Sequence, residues 1–324
     1  MHLGNGAITT ECALLTMGAA AAGLTVAAYD LRRNCPSRQK ISLAAGLGSF
    51  VFAAQAINVQ ALPASSAHLV GGVLLAATLG PSLGLWTMTI ILSLQALLMG
   101  DGGWMALGAN IMNMGVLPAV LVAVSRRSLA SAAQPSLARY ATVGALAAIA
   151  VPLAAAAICL ETFLFRSGQE LAGWSQFAGQ MLLVHLWIGL GEGLLTAGLV
   201  YAYDRLALPY ENAARGWNFA VPLVALSVVL VVALLPLASG LPDGYEASAE
   251  SAGLGALLAE ESGELASLGR WTAAAADYQS RIVEQIAGIL PSEALLVAIA
   301  TLLTAGATLL VASGLTRVPV PVRR

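Results

Sequence analysis

The sequence predicts an all-α polytopic membrane protein with about nine transmembrane helices, and three observations carry that prediction. Of the 324 residues, 58% are hydrophobic and only 10% are charged. The mean hydropathy is +0.81, which is far too high for a soluble globular domain. Several segments contain the roughly 20 apolar residues that a bilayer core about 30 Å thick requires. Short polar breaks separate these segments, which favours helices over barrel strands.

The third of the predicted spans is unusually short. In chain order the spans are residues 8–29, 41–60, 68–79, 82–99, 105–124, 140–160, 176–203, 217–237 and 288–313. Gly80-Pro81 ends the third, and an interrupted membrane helix is tolerated only where its free backbone groups face protein or a watery cavity. This segment is therefore interpreted as site-building structure. A tight turn between two tilted helices explains the pattern equally well.

The basic residues predict an N-terminus on the outer side of the membrane. All but three of the fifteen Lys and Arg residues then face the cytoplasm, and the exceptions are Arg166, Arg270 and Arg281. No Lys or Arg precedes the first helix, whereas Arg32 and Arg33 follow it. This charge order is typical of a retained span rather than a cleaved export signal. We therefore expect Met1 and His2 to survive, also because methionine removal normally needs a small second residue.

The loop from about 238 to 287 is acidic and lies on the outer side in this orientation. An acidic external loop fits a cation environment, and a solvated linker has the same composition. The sequence leaves both readings open. The acidic residues of this loop are Asp243, Glu246, Glu250, Glu260, Glu261, Glu264, Asp277 and Glu284.

The opening Met1-His2 is a chelator by geometry. The α-amine of Met1, the deprotonated amide nitrogen of His2 and the Nδ1 atom of its imidazole can close two fused rings around one ion. These nitrogens occupy three corners of a square plane. Ni²⁺ and Cu²⁺ gain most from that arrangement, whereas Mg²⁺ and Ca²⁺ prefer oxygen ligands. A fourth corner stays open.

His68 is the best candidate for that corner. The stretch "ALPASSAHLVGG" places it at the outer mouth of the interrupted third helix, on the same side as the N-terminus. Ser65 or Ser66 could cap this helix. A lone histidine at a helix end is more often a hydrogen-bonded interfacial residue than a ligand. Its coincidence with an N-terminal X-His dipeptide favours the ligand reading.

His185 and Glu192 lie two turns apart on one face of the seventh predicted helix. An ionisable residue inside a span costs about 2.5–3.5 kcal/mol on insertion scales, so Glu192 should face the bundle and have a partner. The two residues could support the metal site from outside the ligand set or form a transit site for the ion. A structural hydrogen bond between helices is an equally good explanation.

Further polar residues occupy positions where apolar ones would insert more cheaply. Asn and Gln between helices usually act as packing glue, and some could instead orient the imidazoles. Asn58 and Gln60 are the candidates for that support or for transit of the ion. Asp101, in "MGDGGW", could cap the fifth helix or attract cations. The remaining members of this group are Gln55, Gln95, Asn110 and Asn113.

Several motifs in this order resemble the substrate-binding membrane component of cobalt/nickel energy-coupling-factor importers, the CbiM/NikM family. They are the opening "MH...G", "SSAHLVGGVLLAATLGPSLG", "QALLMGDGGWMALGANIMNMGVLPA" and "HLWIGLGEGLLTA". The resemblance covers residues 1–210 and implies a seven-helix unit with its N-terminal segment inserted into the bundle. It also implies a metal site formed by the Met1 amine, the backbone nitrogen and imidazole of His2, and His68.

The opening of this chain departs from the family pattern at one point. The commoner openings read M-H-I-x-D-G or M-H-I-M-E-G, whereas Leu3-Gly4-Asn5-Gly6 contains no acidic residue. This chain therefore lacks the acidic residue that the family pattern places beside the metal site, whereas the predicted ligands are unchanged.

Residues 211–324 resemble the small CbiN/NikN-type accessory component of the same systems, fused at the C-terminus. The markers are a helix at about 217–237, the turn signal Pro242-Asp243-Gly244, an acidic loop and a final helix at about 288–313. The resemblance implies association with a transmembrane coupling subunit and two ABC ATPase subunits in a bacterial or archaeal plasma membrane. Besides these subunits, membrane lipid is the expected partner, with no nucleic acid.

The predicted function is that of a substrate-capture subunit rather than an enzyme, with Ni²⁺ or Co²⁺ as the transported ligand and no cofactor. The only lysine is Lys40, so the chain has no Walker A site and needs an outside source of energy. A self-contained secondary transporter is the alternative, but it would need a coupling-ion path, and Glu192 is nearly alone in the spans. An intramembrane enzyme is disfavoured because the sequence has no H-E-x-x-H motif.

Overall fold

The computed structural model describes residues 2–131, 135–165, 173–207, 220–255 and 292–317. Met1 lies outside these ranges, as does the predicted junction of the two units near residue 210. The later part of the predicted acidic loop, with Glu260, Glu261, Glu264, Asp277 and Glu284, also lies outside them. Within the described ranges the fold is helical apart from one two-stranded sheet, and the all-α polytopic class is confirmed.

The first two helices lead into a hairpin that the sequence did not predict. A short 3-10 turn, Asn5–Ala7, precedes helix α1. The element bounds are α1 Thr10–Asn34, α2 Arg38–Ala56, β1 Val59–Leu62 and β2 Ser65–Ala67. The strands pair antiparallel, with Val59 opposite Ala67. The predicted span 41–60 was therefore wrong at its end, because helix α2 stops at Ala56 and the chain turns into a strand.

The interrupted third span is a half-helix preceded by irregular backbone. Helix α3 is Gly72–Leu79 and helix α4 is Pro81–Leu98. Eight residues span only about 12 Å, so α3 crosses the membrane only together with the residues that lead into it. Gly71 adopts a φ of 75°, and a Cβ there would lie 2.6 Å from the Cγ1 atom of Val51. The backbone ahead of α3 is thus packed inside protein, as the site-building interpretation requires.

The middle of the chain forms six helical segments, of which the first is fully buried. Its elements are α5 Leu107–Ile111, a π-helical segment Met112–Val116, α6 Leu117–Val124, α7 Arg126–Ser131, α8 Leu137–Phe165 and α9 Trp174–Ala207. Helices α8 and α9 pack against each other along their length. Helix α8 continues past the predicted end at residue 160, which brings Glu161 into the helix. The expectation that Glu192 is nearly alone among carboxylates in the spans was therefore wrong.

The C-terminal part packs on helix α2. Its elements are α10 Ala220–Leu234, a 3-10 turn Leu235–Leu237, α11 Gly244–Ser251 and α12 Ser292–Arg317. Asp243 caps α11, because its carboxylate accepts hydrogen bonds from the N–H groups of Tyr245 and Glu246. Both α10 and α12 lie against α2. Helix α2 thereby connects the C-terminal part to the N-terminal part of the chain.

Seven helical stretches in the described ranges are long and apolar enough to cross a membrane. They are Thr10–Asn34, Pro81–Leu98, Leu107–Val124, Leu137–Phe165, Trp174–Arg205, Ala220–Leu237 and Glu293–Thr316. Helix α2 and the half-helix α3 account for the other two predicted spans, and both are largely buried by their neighbours. The chain is a multi-pass membrane protein.

Candidate metal centre

The N-terminal segment lies inside the bundle, where Leu3 is 1% exposed. The backbone N–H of Leu3 donates to the Asn110 Oδ1 atom at 2.9 Å, and the Asn110 Nδ2 atom donates to the Leu3 carbonyl at 3.1 Å. The N–H of Gly103 donates to the same carbonyl at 3.2 Å. One asparagine side chain thus satisfies both backbone groups of Leu3. This clamp fixes the position of the neighbouring His2.

The structure brings two of the predicted ligands together. The His2 and His68 rings stack with their centroids 5.1 Å apart and their planes inclined by 28°. Metal–nitrogen bonds are about 2 Å long, so two imidazoles at adjacent corners of one metal would have centroids roughly 4–5 Å apart. The observed spacing is therefore close to that of two ligands of one ion. The third predicted ligand, Met1, lies outside the described residues.

Asp101 contributes a carboxylate that the opening of the chain lacks. Its Oδ2 atom lies 2.9 Å from the Nδ1 atom of His2, and the His2 side chain is only 5% exposed. Burial would raise the pKa of Asp101, but the adjacent His2 imidazole outweighs it and lowers that pKa to about 2. The carboxylate is therefore ionised at neutral pH. Asp101 does not cap α5, whose N-cap is Ala106 without a side-chain hydrogen bond.

His68 presents a neutral ring to this centre. Its Nδ1 atom lies 3.0 Å from the Leu69 carbonyl oxygen. A proton on Nδ1 that is donated to this carbonyl leaves the lone pair on Nε2, the tautomer that suits metal ligation. In that tautomer an entering ion meets the free lone pair of Nε2 and displaces no proton there.

Glu192 holds the backbone that follows His68. Its Oε2 atom accepts from the Val70 N–H at 2.9 Å and its Oε1 atom from the Gly71 N–H at 2.7 Å. The carboxylate is buried and satisfies donors that would otherwise be stranded ahead of α3. The predicted capping role of Ser65 or Ser66 was wrong, because both belong to strand β2 and Gly71 is the N-cap.

A chain of amides connects the two loops of the centre. The Gln55 Nε2 atom donates to the Val70 carbonyl at 2.7 Å, and the Gln95 Nε2 atom donates to the Gln55 Oε1 atom at 2.8 Å. The Asp101 N–H then donates to the Gln95 carbonyl at 3.2 Å. The loop that carries Asp101 and the loop that carries His68 are thus held by one hydrogen-bond network.

His185 faces the C-terminal part rather than Glu192. Its Nδ1 atom lies 2.7 Å from the Met181 carbonyl oxygen. A Cβ on Gly244 would lie 2.9 Å from the His185 Cε1 atom, so the ring and the turn before α11 are in close contact. A cavity of about 10 Å³ lies between His68, His185 and Asp243. His185 therefore lies behind the His2–His68 pair, on the side of the accessory turn.

The two predicted polar supports in the hairpin occupy different positions. Gln60 is exposed, and its Nε2 atom donates to the carbonyls of Leu62 and Pro63, each at 3.4 Å. The structure does not bring this side chain to the histidine pair. The Asn58 carbonyl accepts from the Ser239 N–H at 2.8 Å, which ties the hairpin to the C-terminal part.

Sequence reasoning did not assign Asp101 and Asn110 to the centre. Asn110 lies 107 positions from Leu3, whose backbone it binds, and no local sequence pattern predicts such a contact. For Asp101, a weak signal was available, because it lies in a Gly-rich loop on the predicted side of the N-terminus. Among the described residues, no three or more His, Cys, Asp or Glu side chains form a metal cluster.

Comparisons with known proteins identify the family of this chain. The family described as "CbiM: Cobalt uptake substrate-specific transmembrane region" matches residues 2–207. The chain belongs to the CbiM family. A putative fused nickel transport protein NikMN of Archaeoglobus fulgidus is 31% identical to it over 78% of this chain and 81% of the relative. A putative metal transport protein of Haloquadratum walsbyi is 33% identical over 49% of this chain and 69% of the relative.

Solved structures agree with this family placement. A crystal structure of a transition metal transporter is 29% identical with a TM-score of 0.54, over 69% of this chain and 99% of the other. A truncated transition metal transporter has a TM-score of 0.53 at 29% identity, over 63% of this chain and 97% of the other. The relatives bearing the fused name extend beyond the family region, as this chain does. This CbiM-family chain is thus a membrane transport component with a fused accessory segment.

Proposed function

We propose that the chain captures Ni²⁺ or Co²⁺ as its transport substrate at the His2–His68 pair and delivers it as the substrate-binding subunit of an ATP-driven importer. The observation that carries the proposal is the stacking of the two rings at 5.1 Å beside an N-terminal segment clamped into the bundle. The names of the relatives, which include nickel and cobalt transport proteins, support the choice of ion.

The ligand set is the Met1 amine, the backbone nitrogen and Nδ1 atom of His2, and the Nε2 atom of His68, in a square plane. The Nδ1 atom of His2 faces Asp101, so a bound ion would take the place of that contact. Asp101 then remains beside a divalent cation as a negative group. Four nitrogens in a plane favour Ni²⁺ over oxygen-seeking ions, and Co²⁺ accepts the same donors.

The accessory segment, residues 211–324, supports the capture unit, residues 1–210, through the turn that precedes α11. The Ser66 Oγ atom donates to the Leu241 carbonyl at 2.7 Å, and the Ser66 N–H donates to the Pro242 carbonyl at 2.8 Å. Ser66 belongs to strand β2, which ends at Ala67, one residue before His68. The turn ahead of α11 thereby supports the strand that leads into His68.

The energy for uphill import comes from other subunits in this proposal. With Lys40 as its only lysine, the chain lacks a phosphate-binding loop of the Walker A type. A transmembrane coupling subunit with two ABC ATPase subunits supplies ATP hydrolysis. Import should therefore require these partners, whereas capture of the ion should not.

Calorimetry on two versions of the purified protein tests the proposal. One has the native Met1-His2 opening with a C-terminal tag, and the other carries a four-residue Gly-Ser-Gly-Ser extension ahead of Met1. The extension leaves both imidazoles in the chain, but it turns the Met1 amine into an amide and places the free amine too far from His2 to close the fused chelate rings. We expect Ni²⁺ affinity to fall by more than the roughly 10–100-fold typical of outer-sphere partners. Equal affinity in the two versions would overturn the proposed ligand set.

A further inference from the structure

A second pocket lies at the opposite end of the molecule from the histidine pair. It has a volume of about 440 Å³ and lies between the start of α2 and the last turns of α12. By the distribution of basic residues, this end faces the cytoplasm. The lining residues are Pro36, Arg38, Ile41, Ser42, Leu309, Ser313 and Thr316.

The first turn of α2 gives this pocket a positive character. Helix α2 begins at Arg38, and its first N–H groups have no partners inside the helix. Ser37 accepts only the N–H of Lys40 with its side chain, at 3.2 Å. The helix dipole adds to this effect, so the start of α2 favours an anion. The exposed guanidinium of Arg38 stands at the same opening and forms no ion pair within the described ranges.

Ser42 provides an independent indication of a ligand. Its side chain is 5% exposed, and its Oγ atom is buried without a hydrogen-bond partner. Ser227 and Thr301 are buried helical hydroxyls that donate to the carbonyl four residues earlier. Ser42 does not, and it shares the lack of a partner with Thr78, Thr196 and Thr308. Ser49, two turns further on the same face of α2, donates to the Thr301 carbonyl of α12 at 3.0 Å. Ser42 faces the pocket instead, and a stranded buried hydroxyl normally indicates a missing acceptor.

The position of the pocket at the membrane boundary indicates which kind of anion it binds. Leu309, Ser313 and Thr316 belong to the last turns of the membrane-crossing stretch Glu293–Thr316, so the pocket lies at the membrane boundary. Leu309 and Ile41 give it apolar walls next to the polar groups. A phosphate with attached apolar chains matches this combination better than a freely diffusing phosphate.

We propose that the pocket between α2 and α12 binds the phosphate headgroup of an anionic phospholipid through Arg38, the first N–H groups of α2 and the Ser42 hydroxyl. A lipid bound there bridges the final helix of the accessory segment to α2. This inference concerns the cytoplasmic end and does not depend on metal capture.

Native mass spectrometry of the full chain tests the inference. The protein in detergent is mixed in separate arms with phosphatidylglycerol, with phosphatidylcholine or with inorganic phosphate. We expect one tightly retained phosphatidylglycerol, with weaker retention of phosphatidylcholine. Charged hydrogen bonds are strong enough that Arg38→Gln should weaken this retention about tenfold, and Ser42→Ala about threefold. Retention of phosphate without phosphatidylglycerol, or equal retention of both lipids, would contradict the proposal.

Two matched variants separate the pocket from general surface effects. Arg33→Gln removes an exposed basic residue at the end of α1, and Ser49→Ala removes a hydroxyl from the same face of α2. Both should retain phosphatidylglycerol like the wild type. Because Arg38 is exposed, its replacement does not threaten folding, and thermal unfolding without lipid checks this. An equal loss of retention in Arg33→Gln and Arg38→Gln would overturn the proposal.

Discussion

Two glutamates in membrane-crossing helices, the buried Glu192 in α9 and the half-buried Glu161 in α8, show how differently the same residue type is used inside this bundle. Glu192 accepts two backbone N–H groups at 2.7 and 2.9 Å, directly behind His68. Among the described residues, Glu161 accepts only from the Asn113 Nδ2 atom, at 3.2 and 3.5 Å from its two oxygens. It also borders an apolar groove of about 620 Å³. An intramembrane carboxylate thus supports the candidate site through hydrogen bonds to its backbone, as Glu192 does, and not through its charge alone.

The largest effect is expected from Glu192→Ala. Two buried N–H groups would lose their acceptors, which costs roughly 2–5 kcal/mol in stability. The loop with His68 would loosen, and Ni²⁺ affinity should fall about 10–100-fold. Thermal unfolding in detergent and calorimetry measure the two losses.

Glu192→Gln is the matched control for that experiment. Its single amide oxygen can accept one of the two N–H groups, so the losses in stability and affinity should be intermediate. Wild-type behaviour of Glu192→Ala in both assays would contradict the role assigned to this carboxylate.

Asn110→Ala is expected to have the next largest effect. It removes both hydrogen bonds to Leu3, so the N-terminal segment loses its fixed register beside His68. We expect Ni²⁺ affinity to fall about tenfold, at the low end for a supporting partner. Asn113→Ala, which breaks the contact with Glu161 instead, should leave affinity unchanged. Similar losses in the two variants would show that bundle packing, and not the Leu3 clamp, is responsible.

Ser66→Ala tests the contact between the two parts of the chain. The variant loses the hydrogen bond to Leu241, a contribution of about 1 kcal/mol. Hydrogen exchange of residues 241–251 should become faster, since the turn before α11 is then held by fewer contacts. Ser65→Ala is the control, because within the described part of the chain the Ser65 hydroxyl donates only to the Ser66 carbonyl, in its own hairpin. Unchanged exchange in Ser66→Ala would show that the backbone contacts alone hold this turn.

The smallest effect is expected from Glu161→Gln. A glutamine keeps an oxygen for Asn113, so stability should change by less than about 1 kcal/mol. Ni²⁺ affinity should stay at the wild-type value. A loss of affinity comparable with that of Glu192→Gln would erase the contrast between the two carboxylates and would place Glu161 on the path of the ion.

The sequence predicted those parts of the fold that depend on local composition. Long apolar runs located α8 and α9 to within a few residues, and the motif around His185 and Glu192 singled out a carboxylate that does hold a loop of the site. The hairpin after α2 was missed because Ile57, Val59 and Leu62 continue the apolar run of that helix. Its pairing also depends on residues that lie beyond a turn.

The candidate site was predictable where its chemistry is carried by rare residues. His2 and His68 could be paired from chelate geometry and family resemblance, and their rings lie together in the structure. Asp101 and Asn110 act on residues about a hundred positions away, so their partners emerge only when the bundle is assembled. The sequence could single out such polar side chains but could not assign their partners.

X-ray absorption at the nickel edge of the Ni²⁺-loaded protein with its native N-terminus tests the central claim most directly. The account predicts four nitrogen ligands in a plane, two of them imidazoles, and one imidazole fewer in His68→Ala. A six-coordinate, oxygen-rich spectrum that His68→Ala leaves unchanged would contradict it.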